Sequence, residues 1–321
     1  MTTARSFWVT GPSRGELRDE ALATPAAGEV LVETLWSGVS RGTESLVFQG
    51  RVPPSEFRRM RCPHQDGDFP WPVKYGYANV GRVAAGSPAL AGAAVFCLFP
   101  HQTAYVVPES AVTRVPDGVP PRRAVLAANL ETALNAVWDG APRLGDRVTV
   151  VGAGVVGCLC AYLVGRIPGT EVELVDLNPS RGAVAAALGV GFAEPSQARL
   201  ERDLVFDASG NARGAETALS VAGTDATVLE LSWFGSGPVA LPLGEDFHSR
   251  RLTLRSSQVG RVSPEARRRH THRSRLELAL SLLADSRLDV LLSQDSPFSS
   301  LPETMSQLSQ SAGPLCQVIR Y

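Results

Sequence analysis

Three glycines and an acid carry the strongest chemical signal in this sequence. In "RVTVVGAGVVG", residues 147–157, an apolar, β-branched run leads straight into Gly152, Gly154 and Gly157, with Val155 and Val156 before the third glycine. At this G-x-G-x-x-G spacing the first glycine permits a tight turn and the second lets a pyrophosphate approach the backbone. The third lets a helix pack closely on the strand. A helix starting there directs its positive end at the phosphates. A second apolar run, "GTEVELVDLNPSR", ends in Asp176. That acid lies roughly 20 residues past the third glycine, where a carboxylate can accept from the adenosine ribose hydroxyls. Its charge disfavours a 2′-phosphate, so NAD(H) is expected as cofactor; Arg181 close by keeps NADP(H) open. The alternative for Asp176 is a helix cap shared with Asn178 and Ser180.

A second group of reactive types stands in the first half. "SGVSRGTE", residues 37–44, follows an alternating run and sets Ser40, Arg41, Thr43 and Glu44 side by side, in the manner of an active-site loop. Glu44 is expected to brace that loop by accepting backbone N–H groups. Further on, "RVPPSEFRRMRCPHQDGDFPWPVK", residues 51–74, reads as an insertion-like loop with Arg51, Arg58, Arg59, Arg61 and Lys74. Such a positive bias can bind an anionic substrate through guanidinium forks, or can be a solvated face. His64 sits in this loop with no tetrahedral set of metal-ligand spacing around it, and His101 reads as a satisfied structural imidazole.

The elements that must hold these groups fall into two sets. Residues 1–118 are short alternating runs broken by glycine and proline, which predicts a mostly β domain, completed by residues 292–321. Residues 119–291 alternate strand and helix, which predicts a doubly wound parallel sheet, so the fold class is α/β. Ligands of such sheets lie beyond the carboxyl ends of the strands, which places Ser209, Ser232, Trp233 and Gln258 at the cofactor cleft or, equally, in loops satisfying their own backbone. "PEARRRHTHRSRLELALSLLADSRLDVLL" is expected to open a helix with a basic run, solvated or at an oligomer contact.

Bulk properties bound the reading. The chain has 321 residues, 44% apolar and 20% charged, with a net charge of −1, which suits two globular domains and lends no support to nucleic-acid binding. Five scattered cysteines contain no C-x-x-C pair. Residues 148–165 carry no charge, but their glycines favour a buried strand and helix over a membrane span. The first residues lack the order of a signal peptide, and a cytoplasmic location is expected.

Taken in order, "SGVSRGTE", "YGYANVGRV", "ETALNAV" and "GDRVTVVGAGVVG" resemble the medium-chain dehydrogenase/reductase superfamily over nearly the whole chain. The resemblance implies a GroES-like domain followed by a Rossmann domain, nicotinamide chemistry and, commonly, a homodimer. Zinc-dependent members hold a catalytic metal through a Cys, a His and a third Cys or acid. Ser40 and Tyr77 stand at the first two positions, and the third falls near Ala127 or Ala128. None of these is a zinc ligand of useful strength, so the chain resembles the zinc-free members, and its loop is similar to that of the bacteriochlorophyllide dehydrogenase branch. The implied position of Tyr77 aims its phenol at the substrate, as a proton donor if Lys74 or Arg41 lowers its pKa, or as packing. Ser40 and Thr43 would relay the proton, and Glu131 on the crossing helix could be acid, base or an inert carboxylate. The reading is a zinc-independent oxidoreductase for an alcohol or carbonyl of a polar, small metabolite. Its alternatives are an enoyl- or quinone-type C=C reductase and a non-catalytic nucleotide sensor.

Overall fold

Alternating apolar residues make the first third of the chain a set of strands, and the order of elements then changes. The structure, a computed structural model, describes residues 2–310 and 314–321. It begins with β1 (Thr2–Gly11), β2 (Arg14–Leu22), β3 (Glu29–Val39), α1 (Arg41–Phe48), β4 (Asp66–Gly67), β5 (Val73–Lys74), β6 (Asn79–Ala85), β7 (Ala94–Cys97), β8 (Ala104–Pro108), β9 (Val112–Arg114) and α2 (Pro121–Ala124). There follow α3 (Ala127–Gly140), β10 (Arg147–Val151), α4 (Val155–Val164), β11 (Glu171–Val175), α5 (Arg181–Leu188), β12 (Gly191–Ala193), β13 (Arg202–Asp207), α6 (Ala212–Val221), β14 (Ala222–Glu230), α7 (Asp246–Ser249), β15 (Thr253–Ser256) and α8 (His272–Leu282). The chain closes with β16 (Leu292–Pro297), α9 (Leu301–Gln310) and β17 (Cys316–Arg320).

Two compact units result. Unit 1 takes in the residues up to Ala128 and from Leu280 onward; unit 2 runs Asn129–Ala279. These limits lie inward of 118 and 291, the positions that composition alone marked. The cause is two arginines of α2: Arg123 forks onto Asp289 with both bonds at 2.7 Å, and Arg122 donates to Asp295 at 2.8 Å.

Unit 1 holds a seven-stranded sheet in the order β16-β17-β3-β6-β7-β9, with β8 also on β3, and a four-stranded sheet in the order β2-β1-β5-β4. Long β3 is the spine, paired antiparallel with β6, β8 and β17. Val30, Val32, Val83, Val95, Tyr105 and Val107 form a core against it. Unit 2 is a parallel six-stranded sheet in the order β12-β11-β10-β13-β14-β15. Its central strands are buried along nearly their whole length, as helix-covered parallel strands must be. The uncharged run 148–165 is β10, a glycine turn and α4, and among the described residues no helix is long and apolar enough to cross a membrane.

Two local expectations are corrected. "SRGTE" is the start of α1 rather than a loop, because Glu44 curls back to accept the Ser40 N–H at 2.7 Å while Leu46, Val47 and Phe48 are buried. The basic run at 264–271 precedes α8. Thr271 and Ser274 bond reciprocally, Thr271 N–H to Ser274 Oγ at 2.9 Å and Ser274 N–H to Thr271 Oγ1 at 3.2 Å, which starts the helix only there.

Candidate active site

In unit 2 each glycine of the loop has its own physical reason. Gly152 sits at φ +94°, and a Cβ there would come within 2.7 Å of the Ala208–Ser209 backbone. A Cβ on Gly157 would lie 1.9 Å from the Gly152 carbonyl oxygen, so α4 could not close on β10. Gly154, which precedes the first residue of α4, has nothing within 4 Å of that position. Close packing at two glycines and open space at the middle one is what a pyrophosphate cradle requires. Asp176 braces it: one carboxylate oxygen accepts the Ala153 N–H at 2.8 Å and the other the Asn178 N–H at 2.9 Å. Val155 and Val156 are the first residues of α4, and Arg181 is the first of α5.

The residues after β13, β14 and β15 largely satisfy their own backbone. Ser209 Oγ donates to the Asn211 carbonyl at 3.3 Å, Ser232 Oγ accepts the Gly210 N–H at 3.0 Å, and Gln258 Oε1 accepts the Gly260 N–H at 2.7 Å. Trp233 is half-buried in the same set of loops.

Unit 1 assembles hydroxyls. The Tyr77 phenol, on the segment before β6, lies within reach of the hydroxyls of Ser40, which caps α1, and Thr43 in its first turn. Arg41 follows Ser40 and is half-buried. Burial, and then the charge of Glu44, push the phenol well above its usual range, while the two hydroxyls work the other way. The expected help from Lys74 is therefore absent. Lys74 is buried and spends its ammonium on Glu20 at 2.8 Å and Gln102 at 3.0 Å.

Behind the hydroxyls runs a buried chain that no sequence signal announced. Glu44 is 3% exposed, and its second oxygen meets His101 Nε2 at 2.8 Å. His101 Nδ1 meets Ser37 Oγ at 2.7 Å, and Ser37 Oγ meets the Tyr321 hydroxyl at 3.0 Å. Gly76, at φ +141°, leaves room for the imidazole, whose Cδ2 would stand 3.0 Å from a Cβ there. Both Glu44 oxygens are engaged, so its role is to position α1 rather than to bind substrate directly.

Other expected groups are placed elsewhere. Glu131 is buried in unit 2, its carboxyl pushed up by burial against the opposing pull of Arg275, which donates to it at 2.9 Å. It is half of an ion pair, and Arg275, in the stretch expected to be solvated or at an oligomer contact, is 2% exposed. Arg61 is paired with Asp68, and Arg59 with Glu56 at 2.7 Å, so part of the positive bias of the 51–74 segment is neutralised. His64 is exposed with its ring 5.3 Å from that of Phe99. Arg58 and Arg61 do line a shallow hollow of about 330 Å³ with Phe57, Asp68 and Phe69. Among the described residues no three of His, Cys, Asp and Glu stand together so as to hold a metal ion, and both His101 nitrogens are already engaged.

The chain matches no protein-family model. It is 27% identical over 224 residues to the 2-desacetyl-2-hydroxyethyl bacteriochlorophyllide A dehydrogenase of Rhodobacter capsulatus, a match covering 63% of this chain and 65% of that protein. It is 27% identical over 203 residues to the L-galactonate-5-dehydrogenase of Escherichia coli, covering 59% of this chain and 55% of that one. The chain thus spans less than two thirds of the length of these curated relatives. Its fold is that of the L-idonate 5-dehydrogenase of Escherichia coli, with a TM-score of 0.82 at 18% identity over 100% of this chain and 99% of the other.

Proposed function

The chain belongs to the medium-chain dehydrogenase/reductase superfamily, and on that premise we propose that it is an NAD(P)-dependent oxidoreductase working without zinc. It interconverts an alcohol and a carbonyl on a polar small metabolite. The observation that carries the reading is the glycine loop, closed at Gly152 and Gly157 and open at Gly154. The bound nicotinamide would supply or accept the hydride. Gly154 and the first amides of α4 hold the pyrophosphate. Asp176 places a negative charge beside the loop, which favours NAD(H) over NADP(H). A polar substrate is in keeping with the two sugar-acid dehydrogenases among the similar proteins.

The chemistry that falls to unit 1 is stabilisation of a developing alkoxide and delivery of a proton. Ser40, Thr43 and Tyr77 supply three hydroxyls for it. The raised pKa of Tyr77 keeps the phenol protonated through the neutral range, which makes it a donor to an alkoxide rather than a resting base. Glu44 and His101 hold the start of α1, and with it Ser40 and Thr43, against Ser37 of β3. Zinc has no fitting donor set here: serine and tyrosine hydroxyls at the two positions, and buried alanines near the third. The reading also carries a small-molecule substrate, no nucleic-acid or membrane partner, and a cytoplasmic homodimer.

The test is transfer of deuterium from C4-deuterated NADH to a panel of polar ketones, with Tyr77→Phe alongside. Wild type should transfer label. The variant should lose about 100-fold in kcat with its dinucleotide affinity unchanged. Binding without label transfer to any ketone or activated alkene would leave only a nucleotide sensor.

A further inference from the structure

In unit 2 two carboxyl groups face each other where sequence reading saw only strand ends. Asp207 and Glu230 are the last residues of β13 and β14 and are register partners on these adjacent parallel strands, so their side chains leave the same face of the sheet. Asp207 is 0% exposed, and among the described residues its Oδ2 has no hydrogen-bond partner. Each acid grips its own loop: Asp207 Oδ1 accepts the Ser209 N–H at 2.9 Å, and Glu230 Oε1 accepts the Ser232 N–H at 2.6 Å. Ser232 Oγ then ties the loops together by accepting from Gly210 N–H. The Ser209 loop is also the backbone on which Gly152 leans.

We propose that Asp207 and Glu230 hold one proton between them, and that this shared proton keeps the two loops closed beside the glycine loop in the geometry that binds the dinucleotide. The proposal rests on the dinucleotide reading above. A bare carboxylate oxygen with no access to water is costly unless a donor reaches it, and the one acid facing it can be that donor when protonated. Burial and the charge of Asp207 push Glu230 up from its ordinary 4.5 to about 7, and burial raises Asp207 as well. Among the described residues the surroundings offer no counter-charge. On β10 the register partner of Asp207 is Val151, and on β15 that of Glu230 is Ser256. Arg255 on β15 donates to Asp139 instead, and Gly214 is what α6 sets against Asp207. Arg213 and Glu216 of α6 are exposed, and Cys158 of α4 is a neutral thiol pushed up to about 12 by burial. With the proton removed, a buried negative charge on Asp207 faces a second on half-buried Glu230, and the loops are driven apart.

The experiment measures NADH and NADPH affinity by fluorescence, between about pH 5.5 and 8.5, for wild type and Glu230→Gln, with thermal unfolding of the nucleotide-free proteins alongside. The amide of glutamine keeps both a donor for Asp207 and an acceptor for Ser232 but cannot ionise. Wild-type affinity should fall about tenfold as pH rises through about 7, while the variant holds the low-pH affinity throughout. Because the folded-state pKa is raised, the group's contribution to stability is present below 4.5 and is lost as pH rises through about 7. The wild-type Tm should therefore decline across that window and the variant's should not. A variant that follows the wild-type affinity curve, or a flat wild type, overturns the proposal. If wild type binds neither dinucleotide at any pH, the reading of unit 2 as a nucleotide domain is overturned instead, and the two Tm profiles still report whether the proton is shared.

Discussion

Arg275 is buried to 2% exposure, and its guanidinium donates to Glu131 at 2.9 Å, Asn135 at 2.6 Å and the Val259 carbonyl at 2.6 Å. Deleting one member of such a pair strands the other charge away from water. Arg275→Met is expected to cost about 3–5 kcal/mol, read as a lower denaturant midpoint. The deficit should shrink as pH falls, because the Glu131 carboxyl, already raised by burial, is then neutral in the folded state. The pair was invisible in the sequence because its halves lie 144 positions apart, and Arg275 shares α8 with the exposed charges of Arg273 and Glu277. Tyr77 and Ser40 were legible, since they occupy positions where other residue types would have been expected. The charge state of Tyr77 was not, because it depends on Glu44 and burial rather than on Lys74.

For the elements, the glycine loop yields the sharpest contrast. Gly157→Ala forces a methyl to 1.9 Å from the Gly152 carbonyl, so α4 must separate from β10. That variant should unfold at markedly lower temperature. Gly154→Ala meets no protein atom, so its Tm should stay near wild type while NADH affinity drops at least about tenfold, as measured by fluorescence titration. Equal destabilisation by both would sink the assignment of the open space to a phosphate. The loop could be read from sequence because all its determinants lie within eleven residues of one another, in a strand, turn and helix of standard form. α1 could not. Its start depends on the Glu44 carboxylate reaching back to Ser40 and on the burial of Leu46–Phe48, and a polar, glycine-containing stretch reads as a loop without those contacts.

At the scale of the whole protein, zinc independence and cofactor choice are the properties to measure. Purified protein should carry no stoichiometric zinc by elemental analysis and should keep its activity in chelator, and NADH should bind more tightly than NADPH. One tightly held zinc per chain, or a clear preference for NADPH, would overturn those two steps. The sequence by itself determined the parallel sheet with its glycine turn, the β-rich unit around β3, and the hydroxyl types at positions 40, 43 and 77. Those follow from short-range periodicity and from glycines whose backbone freedom is local. Only the tertiary structure decided the pairings: Glu44 with His101, Lys74 with Glu20, Glu131 with Arg275, and Asp207 beside Glu230. A buried charge is tolerable only opposite a suitable partner, and which partner it meets is set by sheet register and helix packing between residues far apart in the chain.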